Sequence, residues 1–178
     1  MEIEKTIVET NWGKFHLAQI GGKLCRVIFP TEQENMENWL KRNFPGYSCV
    51  SKDSNKFPFA SELKQYFAGS LQEFTAPFML SMTSFQEKTL RFVEKIPFGR
   101  VVSYGEIAEA IGYLGAARAV GSANGANPVP IRIPCQRVVA ANDGLGGFGG
   151  GLHMKIALLE LEGWKISNKK LRRNHREN

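Results

Sequence analysis

The sequence predicts an α+β protein in which a half built of sheet and helix precedes a mainly helical half. In the first half, Lys14–Ile20 and Leu24–Phe29 are strand-like runs on either side of Gly21-Gly22, a pair that allows a tight hairpin turn. The second half is instead divided by helix-start signals and glycine stops. The 178 residues are 43% hydrophobic and 22% charged, which excludes disorder, collagen and coiled coil.

Two helices follow the strands in the first half. Thr31 and Glu34 have the spacing of a capping box, which predicts a helix to about Asn43. A second helix is predicted over Phe59–Ala68, where Gly69 is placed to end it.

The second half begins with two further capping boxes. Ser84 and Glu87 start a helix that Pro97 ends, and Ser103 and Glu106 start a shorter one. Each box supplies donors and acceptors for the first turn of its helix, so both starts are expected to be well defined.

A helix-turn-helix pattern follows. The short helix stops at Gly112, and another begins at Ala116. Many helical hairpins bind nothing, so the pattern alone does not establish contact with DNA. Beyond it, Ile131–Ala140 is predicted to be extended, and Leu152–Glu162 to be a helix that Gly163 ends.

The net charge of +6 is concentrated at one end of the chain. Residues 165–178 hold six basic residues against Glu177, so the remainder is almost neutral. We predict a support domain over 1–80 with a polar linker at 70–83, a second domain over 84–164, and a basic flexible tail over 165–178.

The longest uncharged stretches, Phe74–Gln86 and Ala119–Ile131, have 13 residues each, whereas a membrane-spanning helix needs about 20. The first ten residues have no apolar run of signal-peptide length. We therefore expect a cytoplasmic protein without a membrane partner, although a nuclear location stays open for a eukaryotic source.

Three widely spaced cysteines without a CxxC pair exclude a disulfide framework and a zinc site, and no metal is expected. Cys25 and Cys49 are interpreted as small structural hydrophobes. Cys135 differs because Pro134 fixes the backbone before it and a polar pair, Gln136-Arg137, follows. Turn-forming and glycine-rich chain on both sides would let a ligand approach it.

The second half resembles the alkylguanine-DNA alkyltransferases, also called methylated-DNA-protein-cysteine methyltransferases. The resemblance is dense over residues 85–163 and looser through Leu63–Gly69. It rests on motifs whose order and spacing are kept: Ile96-Pro97-Phe98-Gly99, Val102-Ser103-Tyr104, Ala116-Ala117-Arg118-Ala119-Val120-Gly121, Asn127-Pro128, Ile133-Pro134-Cys135, Arg137-Val138-Val139 and Leu161-Glu162-Gly163.

The resemblance implies a ribonuclease-H-like first domain, a winged-helix-like second domain and direct reversal of alkylation damage. A cysteine sulfur takes an alkyl group from the exocyclic oxygen of guanine, or of thymine, in a nucleotide rotated out of duplex DNA. A thioether has no easy route back to a thiol, so each molecule acts once. The implied partner is alkylated double-stranded DNA contacted in the minor groove by a monomer, with no cofactor.

The resemblance also assigns roles to residues. Arg118 is the finger that fills the gap in the base stack, and Tyr104 helps to rotate the nucleotide and offers its hydroxyl to the leaving guanine. The catalytic set is Cys135, Gln136, Glu162, Tyr104 and Asn127. The DNA-binding set is Arg118, Ala116, Ala117, Ala119, Gly121, Tyr104 and Ser103. The pocket set is Pro134, Val138, Gly146, Gly147, Phe148, Gly149 and Lys155, with a solvent-facing helix position as the alternative for Lys155.

The sequence departs from the family after the cysteine, where a histidine usually links the thiol through water to the glutamate matched by Glu162. Gln136 can orient that water but cannot take up a proton near neutral pH. Phe148 replaces a common tyrosine, and Asn124-Gly125 replaces bulkier residues. None of the three histidines is an obvious substitute base, and His153, which follows the glycine-rich loop and opens the last helix, is the one to test.

Two other functions are compatible with some of these residues. A lesion-binding protein that marks damage for other repair factors would retain the fold with a poorly activated Cys135, and Gln136 motivates that alternative. A cysteine hydrolase needs a general base and an oxyanion site, and the sequence offers neither beside Cys135.

Overall fold

The computed structural model describes residues 2–32 and 35–173. The chain divides into two compact units, Met1–Leu80 and Ser81–Asn178. The mixed composition of strands and helices confirms the predicted α+β class.

A four-stranded sheet forms the centre of the first unit. Its strands, in the spatial order β3-β2-β1-β4, are β1 (Glu2–Thr10), β2 (Gly13–Ile20), β3 (Lys23–Ile28) and β4 (Ser48–Ser51). The predicted hairpin is confirmed, because Gly21 and Gly22 have φ of 54° and 76° in the turn between β2 and β3. The sequence interpretation missed β1, which has only three apolar residues, Ile3, Ile7 and Val8, among polar and charged ones, and β4, which is short and mostly exposed.

Helices α1 (Met36–Asn43) and α2 (Pro58–Phe67) complete the first unit. The helix predicted to end near Gly69 is confirmed as α2, and Gly69 has φ of 74°. The cap predicted for the first helix is wrong. Asn35 is the N-cap of α1, and its side chain accepts from the backbone of Glu37, whereas Glu34 lies outside the described residues.

Two further predictions about the first unit need correction. Part of the predicted linker is attached to the sheet, because Leu24 N donates to Pro77 O at 2.8 Å and Met79 N donates to Leu24 O at 2.9 Å. Cys25 is buried in the core as expected. Cys49 is exposed, so the prediction that it is a structural hydrophobic residue is wrong. Burial raises the pKa of Cys25 to about 12.

The second unit is mainly helical. Its elements are α3 (Ser84–Glu94), β5 (Val102–Ser103), α4 (Tyr104–Ala110), α5 (Ala117–Gly125), β6 (Val138–Val139), α6 (Leu152–Leu161), β7 (Trp164–Ser167) and β8 (Lys170–Arg173). The capping box at Ser103 and Glu106 is confirmed, whereas the box of α3 lies one residue earlier than predicted, at Thr83 and Gln86. Helices α4 and α5 form the predicted helix-turn-helix and pack with α3.

The chain between α5 and α6 differs from the prediction of an extended segment. Cys135–Arg137 form a turn of 3₁₀ helix, and only β6 is extended, paired in parallel with β5. Ile131 has φ of 72°, a left-handed conformation that is costly for a β-branched residue. Strained backbone therefore lies four residues before the candidate nucleophile.

The prediction of a flexible tail is wrong for residues 165–173. Strands β7 and β8 form an antiparallel hairpin, and Leu171 is only 6% exposed because it joins a hydrophobic cluster with Val139 and Leu159. The prediction considered only the basic residues of this segment. Apolar side chains alternate with them along the strands and give the hairpin a buried face. Residues 174–178, with His175, lie outside the described part of the chain.

Candidate active site

Cys135 lies at the start of the 3₁₀ turn and is 5% exposed. The strand that follows it pairs with β5, with Val138 opposite Val102. Because α4 begins directly after β5, this short parallel pairing brings the cysteine and the first residue of α4, Tyr104, to the same region of the unit.

Two asparagines at the end of α5 hold the backbone of the cysteine segment. Asn127 Nδ2 donates to Ile133 O at 2.9 Å, and Asn127 Oδ1 accepts from Val129 N at 3.0 Å. Asn127 thus ties the end of α5 to the segment that precedes Cys135. Asn124 Nδ2 donates to the carbonyl oxygen of Cys135 itself at 3.4 Å. The sequence interpretation missed this contact, although the three-residue spacing of the two amides was a signal for it.

Gln136 is fully buried and contacts Glu162 directly. Its Nε2 donates to Glu162 Oε1 at 3.1 Å, while Glu162 Oε2 accepts from Arg137 Nε at 2.8 Å and from Gly99 N at 3.2 Å. Arg137 also donates to the carbonyl oxygen of Ile96 at 2.5 Å. Three donors, two from the cysteine turn and one from the chain after α3, therefore fix the carboxylate of Glu162.

This network brings Gln136 and Glu162, two members of the expected catalytic set, into direct contact. The sequence interpretation gave Arg137 no role, yet it forms a buried ion pair with Glu162. A buried ion pair is tolerated better when further hydrogen bonds support its partners, and here Gly99 N donates to Glu162 while Arg137 donates to Ile96 O. The Nη2 atom of Arg137 is buried without a hydrogen-bond partner among the described residues. Glu162 thus orients the turn that carries Cys135.

Tyr104 lies between helix α5 and the glycine-rich loop. A Cβ atom added to Gly121 would be 3.8 Å from the tyrosine ring, and one added to Gly146 would be 2.7 Å from its hydroxyl oxygen. Gly146 also has φ of 70°, so this position favours glycine for two reasons. Burial, followed by the charge of Cys135, raises the pKa of Tyr104, whereas a hydrogen bond with the Gly147 backbone opposes the shift.

Lys155 is fully buried on α6, which overturns the solvent-facing alternative. Its Nζ donates to Val138 O at 2.6 Å and to Gly147 O at 3.2 Å. The lysine therefore connects the strand after Cys135 to the glycine-rich loop. Burial lowers the pKa of Lys155 to about 8, against a smaller opposing effect of Cys135.

A cavity of about 430 Å³ collects much of the predicted site. Its lining residues come from the start of α4, from α5, from the cysteine turn and from the loop before α6: Tyr104, Arg118, Gly121, Ser122, Asn124, Gly125, Cys135, Gly147, Phe148 and Gly149. A buried thiol therefore opens into a space that an exposed arginine and a tyrosine share.

Other predicted residues lie outside this lining. Pro134, Val138 and Lys155 are buried behind the cavity rather than in its wall, as are the catalytic candidates Gln136, Glu162 and Asn127. Ser103 caps α4, and Gly146 supports Tyr104. Ala119 is exposed on α5, with Ala116 and Ala117 half-buried at its start. His153 is exposed at the start of α6 and does not line the cavity.

The fold and cavity together define a helix-turn-helix protein with a buried cysteine thiol in a pocket beside the second helix. Residues 84–164 match the family described as "6-O-methylguanine DNA methyltransferase, DNA binding domain". The chain is 52% identical over 137 residues to the methylated-DNA-protein-cysteine methyltransferase of Mycobacterium leprae, covering 77% of each chain. It is 42% identical over 129 residues to the inducible enzyme of that name from Bacillus subtilis, covering 72% of each.

Solved structures agree with these relatives. The crystal structure of the Mycobacterium tuberculosis O6-methylguanine methyltransferase superposes with a TM-score of 0.77 at 38% identity, covering 90% of this chain and 92% of that one. The M. tuberculosis OGT in complex with DNA gives a TM-score of 0.76 at 36% identity, with 91% and 92% covered. This chain belongs to the methylated-DNA-protein-cysteine methyltransferase family.

Every helix within residues 2–32 and 35–173 is too short or too polar to span a bilayer.

Proposed function

We propose that this protein repairs DNA by moving an alkyl group from the exocyclic oxygen of guanine, or of thymine, to Cys135, once per molecule. The observation that carries the proposal is the cavity in which the Cys135 thiol lies with Tyr104 and Arg118. Its relatives of 52% and 42% identity are named as methylated-DNA-protein-cysteine methyltransferases, which supports transfer rather than lesion binding alone.

The reaction is a displacement at carbon. The anionic sulfur of Cys135 forms a bond to the alkyl carbon as the bond from that carbon to the base oxygen breaks, and the electron pair stays with the base. A proton delivered to the base makes it a neutral, better leaving group, and the hydroxyl of Tyr104 lies in the same cavity to supply it. The product thioether is stable, so turnover ends.

The substrate reaches the cavity as a nucleotide rotated out of the duplex. Helix α5 supports this approach because Ala116, Ala117, Ala119 and Gly121 leave little side-chain bulk around Arg118. Contact in the minor groove, where base readout is degenerate, suits a search for lesions in any sequence. Arg118 is exposed and fills the space that the rotated nucleotide leaves.

The buried network behind the cysteine acts through position rather than by proton transfer. Gln136 cannot act as a base, and Glu162 is occupied by three donors. Asn124 and Asn127 fix the carbonyls of Cys135 and Ile133, so the thiol keeps its direction toward the cavity. These four are positioning residues, while Lys155 fixes the loop that bears Gly147, Phe148 and Gly149.

The wider assignments belong to the same proposal. Residues 84–164 bind DNA and accept the alkyl group, and residues 1–80 support them. The protein acts as a monomer in the cytoplasm on alkylated double-stranded DNA, and the reaction needs no cofactor because the sulfur of Cys135 accepts the alkyl carbon and the hydroxyl of Tyr104 can supply the proton to the base.

Mass spectrometry of the intact protein tests the transfer. After incubation with a duplex that contains O6-methylguanine, we expect one added methyl group per molecule, located on the peptide that contains Cys135. Cys135→Ala should abolish the gain. Cys49→Ala should retain it, since Cys49 is an exposed thiol in the other unit and reports non-specific alkylation. Tight binding of the damaged duplex without any mass gain would instead identify a lesion-binding protein.

A further inference from the structure

The hairpin of β7 and β8 has two different faces. Its strands pair Lys165 with Arg172, Ile166 with Leu171 and Ser167 with Lys170. Successive side chains of a strand alternate, so Lys165, Lys170 and Arg172 share one face. All three are exposed, and no acidic residue occurs between Trp164 and Arg173.

The opposite face attaches the hairpin to the second unit. Trp164, Ile166 and Leu171 pack in the cluster that includes Val139 and Leu145. A hairpin fixed by such packing presents its charged face in a constant direction, unlike a frayed terminus.

Backbone contacts place the hairpin close to the loop of the cavity. Leu171 N donates to Asp143 O at 3.0 Å, and Gly144 and Lys170 form an antiparallel bridge. Two residues after Gly144 comes Gly146, which supports Tyr104. The row of cations therefore begins next to the chain segment that leads into the cavity wall.

The hairpin carries its positive charge at a structural cost. Lys165 and Arg172 are directly opposite each other, a destabilising arrangement for like charges. Lys169 occupies the turn with φ of 58°, where glycine is favoured. In the described part of the chain, none of Lys165, Lys169, Lys170 or Arg172 forms an ion pair with a carboxylate. This charge is thus unbalanced within the described protein and suits an anionic partner.

We propose that the exposed face of this hairpin is a second DNA-binding surface, on which Lys165, Lys170 and Arg172 bind backbone phosphates of the duplex whose alkylated nucleotide occupies the Cys135 cavity. The inference rests on the proposed function. Cations of this kind release counterions from DNA and add affinity without sequence preference, which is what a protein that must search undamaged DNA requires.

The salt dependence of duplex binding tests the surface. Three lost phosphate contacts should make the slope of log K against log salt shallower by about 2 to 3, at about 0.9 for each contact. We expect this for the triple variant Lys165→Gln, Lys170→Gln, Arg172→Gln. The matched variant Lys23→Gln, Lys52→Gln, Lys64→Gln removes the same charge from exposed positions of the first unit and should keep the wild-type slope. Equal slopes for all three proteins would overturn the proposal.

Two further measurements separate the possible failures. Alkyl transfer from a free O6-alkylguanine base should proceed equally in the wild type and the hairpin variant; if the wild type transfers nothing, the proposed function fails, whatever the slopes. In the wild-type protein, saturating duplex should protect Lys165 and Lys170, but not Lys23, from acetylation detected by peptide mass spectrometry. Unchanged acetylation of Lys165 and Lys170 would exclude the hairpin as a DNA contact even if the variant were poorly folded.

Discussion

Gln136 directly follows Cys135, at the position from which a base could accept the proton of the proposed nucleophile. It is fully buried and donates to Glu162, so its carboxamide has a fixed orientation but cannot accept a proton near neutral pH. The thiol must therefore ionise without a neighbouring imidazole. The rate of transfer should follow the thiol's own ionisation, with no histidine-like inflection.

Gln136→His should raise the single-turnover rate of transfer, because Glu162 is placed to orient an imidazole as it orients the carboxamide. General base assistance contributes roughly 10² to 10⁴ in rate, so we expect at least a tenfold gain. A new inflection near pH 6.5 should accompany it. Rates measured by quenched flow across pH, with Gln136→Leu as the control without a base, check both effects. An unaltered rate in the histidine variant would contradict this explanation.

Because of Lys155, the free energy of unfolding depends on pH in the alkaline range. Burial lowers its pKa from 10.5 to about 8. Between these values the unfolded chain binds a proton that the folded chain has lost, so the free energy of unfolding contributed by this group rises with pH through this window. Below about pH 8 both states carry the proton and the dependence vanishes.

Lys155→Met should remove that rise. Urea denaturation of the wild type and the variant should be compared from about pH 7 to 11. The difference between their free energies of unfolding should change only above about pH 8. Lys64→Met, at an exposed position of α2, should follow the wild type. If the free energies of unfolding of the wild type and Lys155→Met differ by a constant amount at every pH, burial does not lower the pKa of Lys155.

At the scale of elements, the loop before α6 depends on a glycine. A Cβ at Gly146 would approach the Tyr104 hydroxyl to 2.7 Å, at a residue with φ of 70°. Gly146→Ala should therefore cost about 1–3 kcal/mol of stability and slow transfer by displacing Tyr104. Thermal unfolding and single-turnover assays measure the two effects.

Gly105→Ala is the matched control for that change. A Cβ at Gly105 meets only Ser103 Oγ, at 4.0 Å, and the residue lies in α4 with ordinary helical backbone. It should alter the free energy of unfolding by less than about 1 kcal/mol. If the two variants lose the same free energy of unfolding, the contact with Tyr104 is not the reason why position 146 requires glycine.

The elements themselves were predictable where local chemistry decides them. Gly21-Gly22 and the Ser103 capping box were placed correctly, because each motif satisfies its own turn or helix end. Thr83 was missed as the cap of α3 because Ser84 offers the same hydroxyl one residue later. The hairpin of β7 and β8 was missed because its apolar face is stabilised by distant residues such as Val139.

At the scale of the whole molecule, the role of Arg118 depends on the duplex. The residue is exposed and lines the cavity, so it can fill the base stack only when a nucleotide has left it. Rotating a nucleotide costs a few kcal/mol, and under the proposed function Arg118 offsets part of that cost.

Arg118→Ala should therefore slow transfer from duplex DNA by at least about tenfold more than transfer from a free O6-alkylguanine base, for which no stack must be opened. Parallel single-turnover assays on the two substrates provide the comparison. Arg91→Ala, which removes an arginine paired with Glu87 on the surface of α3, should affect the two substrates equally. Equal losses for Arg118→Ala would refute the finger.

The sequence alone determined the family and the helix-turn-helix, and it predicts Cys135 as the nucleophile, because the motifs involved are short, local and kept in order. Only the tertiary structure decided that Asn124 holds the Cys135 carbonyl, that Arg137 pairs with Glu162, that Lys155 is buried and that the basic end of the chain folds as a hairpin. The physical reason is that burial, pairing and direction are properties of residues distant along the chain. The local sequence gives the charge and size of each side chain, whereas tertiary packing determines which charged groups are buried and which stay exposed to a partner.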